Sequence, residues 1–190
     1  MPITLEQFTA CTGATPANAQ VYYPFALVAM GLFKIAEDQQ IAAFLATLGI
    51  ESEYLTHMEE DLFYSHADRL VAIFPHEFRT AADAAPFVRN PKGLSQKIYG
   101  GYHGRGGIQL SWLKNYKLHG DRLGFDYVGQ PDLVKTPQHA MLTAGSYWDL
   151  TKCNDIAADM GEVTLRVNGP AREALAARIA QRDRALEVLA

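Results

Sequence analysis

A mainly α-helical domain with at most a small sheet is the fold this chain predicts, and three observations carry the prediction. Apolar residues recur at helical spacing, cap signals bracket those stretches, and alternating strand-like runs are few and short. A length of 190 residues suffices to bury a core without staples, so 1–190 is expected to form one domain with a small lobe near 66–100.

Taken in order, Thr4 caps a short helix that stops near Gly13, and Pro16 and Pro24 suit first-turn positions. A helix opening near Asp38 carries Phe44, Leu45 and Leu48 on one side and delivers Glu51 at its end. Ser65 and Asp68 form a capping-box pattern for a helix that Pro75 limits. Helices are predicted over 81–89 and 91–98, followed by a turn at Gly100 and Gly101. Ser111 is expected to cap a helix through Leu123, and Thr136 with Pro137 to start one reaching Leu150. Asn168, Gly169 and Pro170 separate a short helix from a terminal one rich in alanine, leucine and arginine. Strand candidates are 61–64 and 107–110.

Composition narrows the function. The chain is 48% hydrophobic and 20% charged with mean hydropathy near zero, so it is a globule rather than a disordered segment. A net charge of -4 and a pI near 5.8 lack the basic surface that nucleic-acid binding requires. Cys11 and Cys153 are too few for a disulfide framework and too far apart for a metal pair, so they read as two buried thiols. The most apolar run, 21–33, is shorter than the roughly 20 residues that span a bilayer and reads as a core helix. The first residues lack a basic segment ahead of an apolar one, so no signal peptide is expected and the chain should stay cytoplasmic until something releases it.

Glu51 and Glu60, nine positions apart, are the first catalytic candidates. Cleaving a glycosidic bond needs one carboxylic acid to protonate the leaving oxygen and a second carboxylate to activate water or attack the sugar. On one unbroken helix the two would lie about 13 Å apart along the axis and on opposite faces. Joint action therefore requires the helix to end near Glu51 and Glu60 to return on a loop or strand, although no Gly or Pro marks that break. The bland alternative is a solvated acidic face formed by Glu51, Glu53, Glu59, Glu60 and Asp61.

The wider pattern tips the balance. Glu51-Ser52, Glu60-Asp-Leu-Phe-Tyr64-Ser65, Ile73-Phe74-Pro75, Gly104-Arg105-Gly106-Gly107-Ile108-Gln109-Leu110-Ser111, Asn115-Tyr116, Pro131-Asp132-Leu133 and Val167-Asn168-Gly169 run in this order. Together they resemble glycoside hydrolase family 19, and more narrowly its phage endolysins, which are lysozyme-like and chitinase-related; the similarity spans roughly 3–188. The resemblance implies a lysozyme-like fold with larger and smaller helical lobes about a cleft, and inverting hydrolysis of β-1,4 bonds between N-acetylated sugars. It implies Glu51 as general acid in an apolar surround, Glu60 as general base with Glu59 as its rival, and Ser111 holding the attacking water. Tyr64, Tyr102, Arg105, Gln109 and Asn168 would bind substrate, although Arg105 could simply pair with a carboxylate, Tyr64 could be core and Asn168 a turn residue. Three departures stand out: Ile50 replaces the family's His before the first Glu, Ser111 replaces Thr, and the segment from Tyr99 to Gly106 is compact.

The expected function is an endolysin that hydrolyses the peptidoglycan backbone and lyses bacteria. It would act as a monomer without metal or organic cofactor, reach the wall through a holin-like pore, have no wall-binding module, and neither bind nucleic acid nor insert in a membrane. Rivals are a chitinase, a lytic transglycosylase, for which Glu60 is superfluous, and an inactive sugar-binding domain, against which both glutamates speak. His57, His66, His76, His103, His119 and His139 lack metallopeptidase spacing, and the Gly104 to Gly107 segment is too short for a dinucleotide fingerprint.

Overall fold

The computed structural model describes residues 3–190; Met1 and Pro2, which the leader reading included, lie outside the described residues. Its helices are α1 (Leu5–Thr12), α2 (Pro16–Leu32), α3 (Asp38–Glu51), α4 (Ala67–Ile73), α5 (Ala81–Ala84), α6 (Pro91–Tyr99), α7 (Leu113–Leu123), α8 (Pro137–Leu150), α9 (Met160–Asn168) and α10 (Leu175–Leu189). Among the described residues the only strand pairing is two antiparallel bridges, Glu59 with Arg105 and Arg105 with Leu110.

The centre is α3. Every residue from Ile41 to Gly49 is buried, because α1, α9 and α10 pack around it and α8 closes the same core. Phe44 meets Trp148 of α8 edge-on at 5.3 Å between ring centroids. Gly49 lies where a Cβ would strike the Thr12 carbonyl, so glycine here sets the close approach of α3 to the end of α1. A second, smaller core of Leu62, Leu70, Phe78, Ala84 and Leu94 holds α4, α5 and α6 together, and a third around Tyr116 and Tyr127 backs α7. Cys11 and Cys153 are buried free thiols, and burial pushes Cys11 up to about 11.

Local signals worked where a side chain had no competing partner. Thr4 and Gln7 close a reciprocal capping box, and Gly13 ends α1 at φ 71°. Elsewhere the structure corrects the sequence reading. Pro24 sits inside α2 rather than in a first turn; it is on the solvent side, as is Gln20, whose carbonyl loses its helical partner there. His66, not Ser65, is the N-cap residue of α4, so the Ser65 to Asp68 box does not form. The 81–89 helix stops at Ala84 and becomes a 3-10 turn, since Pro86 supplies no N–H. Trp112, not Ser111, occupies the N-cap of α7. Segment 61–64 is not a strand: the Asp61 carboxylate takes the Phe63 N–H at 2.8 Å, diverting backbone from any ladder. Segment 107–110 is the far side of a tight turn with one bridge, in which the Arg105 and Leu110 backbones exchange bonds of 3.1 and 2.7 Å.

Candidate active site

The break after Glu51 is made without glycine. Ser52 ends α3, its hydroxyl donating to the Leu48 carbonyl at 2.6 Å and accepting from the Leu55 N–H at 3.0 Å. Glu53, Tyr54 and Leu55 then all adopt left-handed backbone, at φ 47°, 60° and 62°. Each such residue costs about 1–2 kcal/mol, a strain that persists where surrounding contacts enforce it. The turn takes the chain out of α3, and Glu60 reaches the cavity that Glu51 also lines.

Glu51 stands at the end of the buried helix with its side chain 10% exposed. Its Oε1 accepts from Arg178 Nη2 and from Asn168 Nδ2, the latter at 3.1 Å. Arg178, in the first turn of α10 and 3% exposed, also donates to Asn168 Oδ1 at 2.8 Å and to the Glu173 carbonyl at 3.2 Å. Asn168 therefore lies against Glu51 rather than serving only as a turn residue. The surround expected to be apolar contains a guanidinium and an amide instead. Both contacts use Oε1, leaving Oε2 without a hydrogen-bond partner among the described residues.

Glu59 and Glu60 point to different partners. Glu59 is gripped by His103 Nε2 at 3.0 Å, Arg105 Nε at 3.1 Å and Lys135 Nζ at 2.8 Å. Burial alone would raise this carboxyl, but hydrogen bonds from Lys135 and His103 and the charges of Lys135 and Arg105 hold it below the ordinary carboxylate value. Glu60 has no cation on it among the described residues; Tyr99 donates to Oε1 at 2.9 Å and the Gly104 N–H to Oε2 at 3.2 Å. Gly104 matters for space as well, since a Cβ there would meet Gln109 Oε1 at 2.7 Å.

Glu51, Glu59, Glu60 and Gln109 line one cavity of about 400 Å³. A second, of about 680 Å³, shares Glu59, Glu60 and Asp61 with it and continues past Phe63, Lys92 and Gln96. The two form one elongated cleft with Glu60 at the junction. Gln109 donates weakly to the His57 and Gly106 carbonyls at 3.5 and 3.4 Å, and its buried Oε1 has no partner among the described residues. Arg105 borders the larger cavity, but its guanidinium is spent on Glu59, Asp132, the Gly101 carbonyl and the Tyr116 hydroxyl, so it clamps the loop.

Three further candidates do not line either cavity. Tyr64 packs edge-on against Phe74 beside the smaller core, and Tyr102 meets Tyr116 edge-on with its hydroxyl donating to the Val128 carbonyl. The Ser111 hydroxyl reaches only the Gln109 carbonyl, at 3.5 Å. The exposed aromatic surfaces near Glu60 are instead Phe63, on the larger cavity, and Trp112, tilted against Tyr99; they are 56% and 51% exposed. Sequence reasoning also missed Arg178, Tyr99, His103 and Lys135. Arg178 sits among helix-forming residues like any solvated arginine, and nothing in the spacing of Tyr99 or Lys135 links them to glutamates about forty and seventy-five positions away. No group of three or more His, Cys, Asp or Glu among the described residues is placed to hold a metal, and no described helix is long and apolar enough to cross a membrane.

Comparison with known proteins bears on this geometry. The glycoside hydrolase 19 family, described as class I chitinase, matches residues 15–180. Acidic endochitinase SP2 of Beta vulgaris is 30% identical over 135 residues, covering 69% of this chain and 40% of that protein. Chitinase 6 of Oryza sativa subsp. japonica is 49% identical over 49 residues, covering 25% of this chain and 18% of its own length. The chain thus covers less than half of the curated relatives it matches. Among solved structures, chitinase C from Streptomyces griseus HUT6037 superposes with a TM-score of 0.68 at 25% identity, covering 98% of this chain and 92% of that one. A bacterial family 19 chitinase at 24% identity shares the fold with a TM-score of 0.65, over 100% and 95% of the two chains.

Proposed function

The chain belongs to glycoside hydrolase family 19, whose lysozyme-like helical fold it has, and from that premise we propose that it hydrolyses the β-1,4 bonds of the peptidoglycan backbone as an endolysin. One observation carries the reading. Glu51 and Glu60 arrive from separate elements, line the same cavity and have different partners, while the rival Glu59 is held by two cations, Arg105 and Lys135, and by the His103 ring.

In this mechanism Glu51 is the general acid. Arg178 and Asn168 hold Oε1 of the ion-paired carboxylate, so Oε2 is the oxygen left to take up a proton and pass it to the leaving glycosidic oxygen. Glu60 is the general base and draws a proton from a water held in the cavity that both carboxyls line. Water attack opposite the leaving group inverts the anomeric centre. Gln109, with an orphaned buried acceptor beside both glutamates, receives a donor from the sugar, as an acetamido N–H or a hydroxyl would supply. Ser111 serves as a further water ligand only after a change of rotamer, because its hydroxyl is turned to the Gln109 carbonyl.

Peptidoglycan is favoured by the motif context around Glu60, which resembles the endolysin branch. A second reading, chitin, is supported by the names of the relatives, which are chitinases. Mass spectrometry of fragments from purified peptidoglycan and from chitin oligosaccharides separates them. Reducing-end fragments from peptidoglycan, absent with Glu51→Gln and with Glu60→Gln, are expected. Anhydro-muramic ends, or a Glu60→Gln variant of near-normal activity, would replace hydrolysis with transglycosylation; turnover of chitin alone would move the substrate class.

A further inference from the structure

The orientation of Glu60 depends on one side chain that the two-carboxylate scheme leaves without a role. Tyr99 is the last residue of α6, which Gly100 terminates in left-handed conformation at φ 63°. From there the phenol reaches Glu60 Oε1 at 2.9 Å, while the other carboxylate oxygen takes only the Gly104 N–H, at 3.2 Å. The ring is braced by Trp112, with centroids 4.9 Å apart at an interplanar angle of 57°. Trp112 itself holds φ 73° and ψ 139°, a strained backbone for a bulky residue, and its N–H is pinned to the Tyr102 carbonyl at 2.7 Å. Burial, then the charge of Glu60 and the hydrogen bond to it, push the Tyr99 phenol well above its ordinary value, so it remains a donor at every pH at which the fold is stable.

We propose that Tyr99 is a positioning residue for the base, its hydroxyl fixing the Glu60 carboxylate at the cleft junction while the strained Trp112 locks its ring. The physical need is specific. The backbone at Glu59 and Glu60 is paired with the 104–106 loop, but the Glu60 side chain borders both cavities, so packing alone does not select its rotamer. A general base must lie within hydrogen-bond reach of the water it activates, and misplacement by about 1 Å costs on the order of a hundredfold. The inference rests on Glu60 being the base, and the test separates the two claims.

Tyr99→Phe keeps the ring and its contact with Trp112 but removes the donor. On soluble peptidoglycan strands or chitin oligosaccharides, whichever the wild-type chain turns over, kcat is expected to fall about ten- to a hundredfold, as loss of a hydrogen bond to a charged group implies. KM should stay within about twofold, and the acid limb of the kcat profile should move to higher pH because the ionised carboxylate has lost a donor. Trp112→Leu should lower kcat by a smaller factor, and that loss should largely vanish in a Tyr99→Phe background, since both act through the same contact. Wild-type kcat and pH profile in Tyr99→Phe, or a raised KM with kcat intact, would overturn the proposal. Glu60→Gln is measured alongside. If it is inactive while Tyr99→Phe is normal, the base stands and the positioning role falls; if it is active, both fall.

Discussion

Replacing Arg178 by methionine should destabilise the fold far more than loss of an ordinary ion pair. Arg178 and Glu51 are 3% and 10% exposed, so the pair has left water almost entirely. Removing one member of a buried pair strands the other charge, at a cost of about 3–5 kcal/mol, against 0–1 kcal/mol for a surface pair. Asn168 Nδ2 still donates to the stranded carboxylate at 3.1 Å, which places the expected loss near 3 kcal/mol at pH 7. For a chain of this length that corresponds to a melting temperature lower by roughly 6–12 °C. Urea unfolding of Arg178→Met, Glu51→Gln and the double variant completes a cycle. Each single change leaves one polar group buried without its partner, whereas the double change removes both charges, so it should cost at least about 2 kcal/mol less than the sum of the singles. A single-variant loss below about 1 kcal/mol, or strict additivity, would refute the view that this is a desolvated pair holding α10 to the end of α3.

Two other outcomes follow from side chains outside the proposed chemistry. Burial, with the charge of Arg122, lowers His119 to about 4; its ring stays neutral in the fold while the unfolded chain takes up a proton below about pH 6.5. Stability contributed by the neutral ring is therefore full above pH 6.5 and falls as pH drops towards 4, by an amount of about 3 kcal/mol; urea midpoints at pH 7, 5.5 and 4 should separate wild type from a His119→Gln variant with the flatter profile, and parallel profiles would exclude His119 as the cause. Glu53 is the first of the three left-handed residues after α3, and its side chain is 74% exposed with only an exposed contact to His57. Glu53→Gly should raise stability by about 0.5–1 kcal/mol, since relief of strain outweighs the entropy that glycine adds to the unfolded chain; a lower thermal midpoint would show that the turn is not strained.

What could be read from the residues divides along physical lines. The start and end of α3 were legible, because nine successive buried positions and the polar flank at Asp38 leave little freedom. The break beyond it was not, because Glu53, Tyr54 and Leu55 are residues that ordinarily avoid left-handed backbone and adopt it here under tertiary constraint, with the Tyr54 N–H bound to the Gly49 carbonyl at 2.6 Å. Ser111 looked like a cap because local chemistry suits it, yet Trp112 takes that place, with its ring tilted against Tyr99. Glu51, Glu60, Gln109 and Asn168 were legible as site candidates through their motif context. Arg178, Tyr99 and Lys135 were not, since their roles exist only in contacts across long sequence separations.

The choice between two adjacent glutamates comes down to backbone geometry. In an extended segment successive side chains leave on opposite sides. Glu59 forms the bridge with Arg105, so its side chain enters the cluster of His103, Arg105 and Lys135, and the next residue must face away. The Glu60 N–H is fixed to the Gly104 carbonyl at 2.8 Å, and Gly104 returns its own N–H to the carboxylate. One short loop therefore sets the register of both residues, anchoring the first with charge and presenting the second to the cleft. A one-residue slip that exchanged their environments would bring Glu60 to Arg105 and Lys135 and turn Glu59 to the cleft. Lys135 and Arg105, with the His103 ring, thus hold Glu59 more firmly than Tyr99 and the Gly104 N–H hold the glutamate proposed to act.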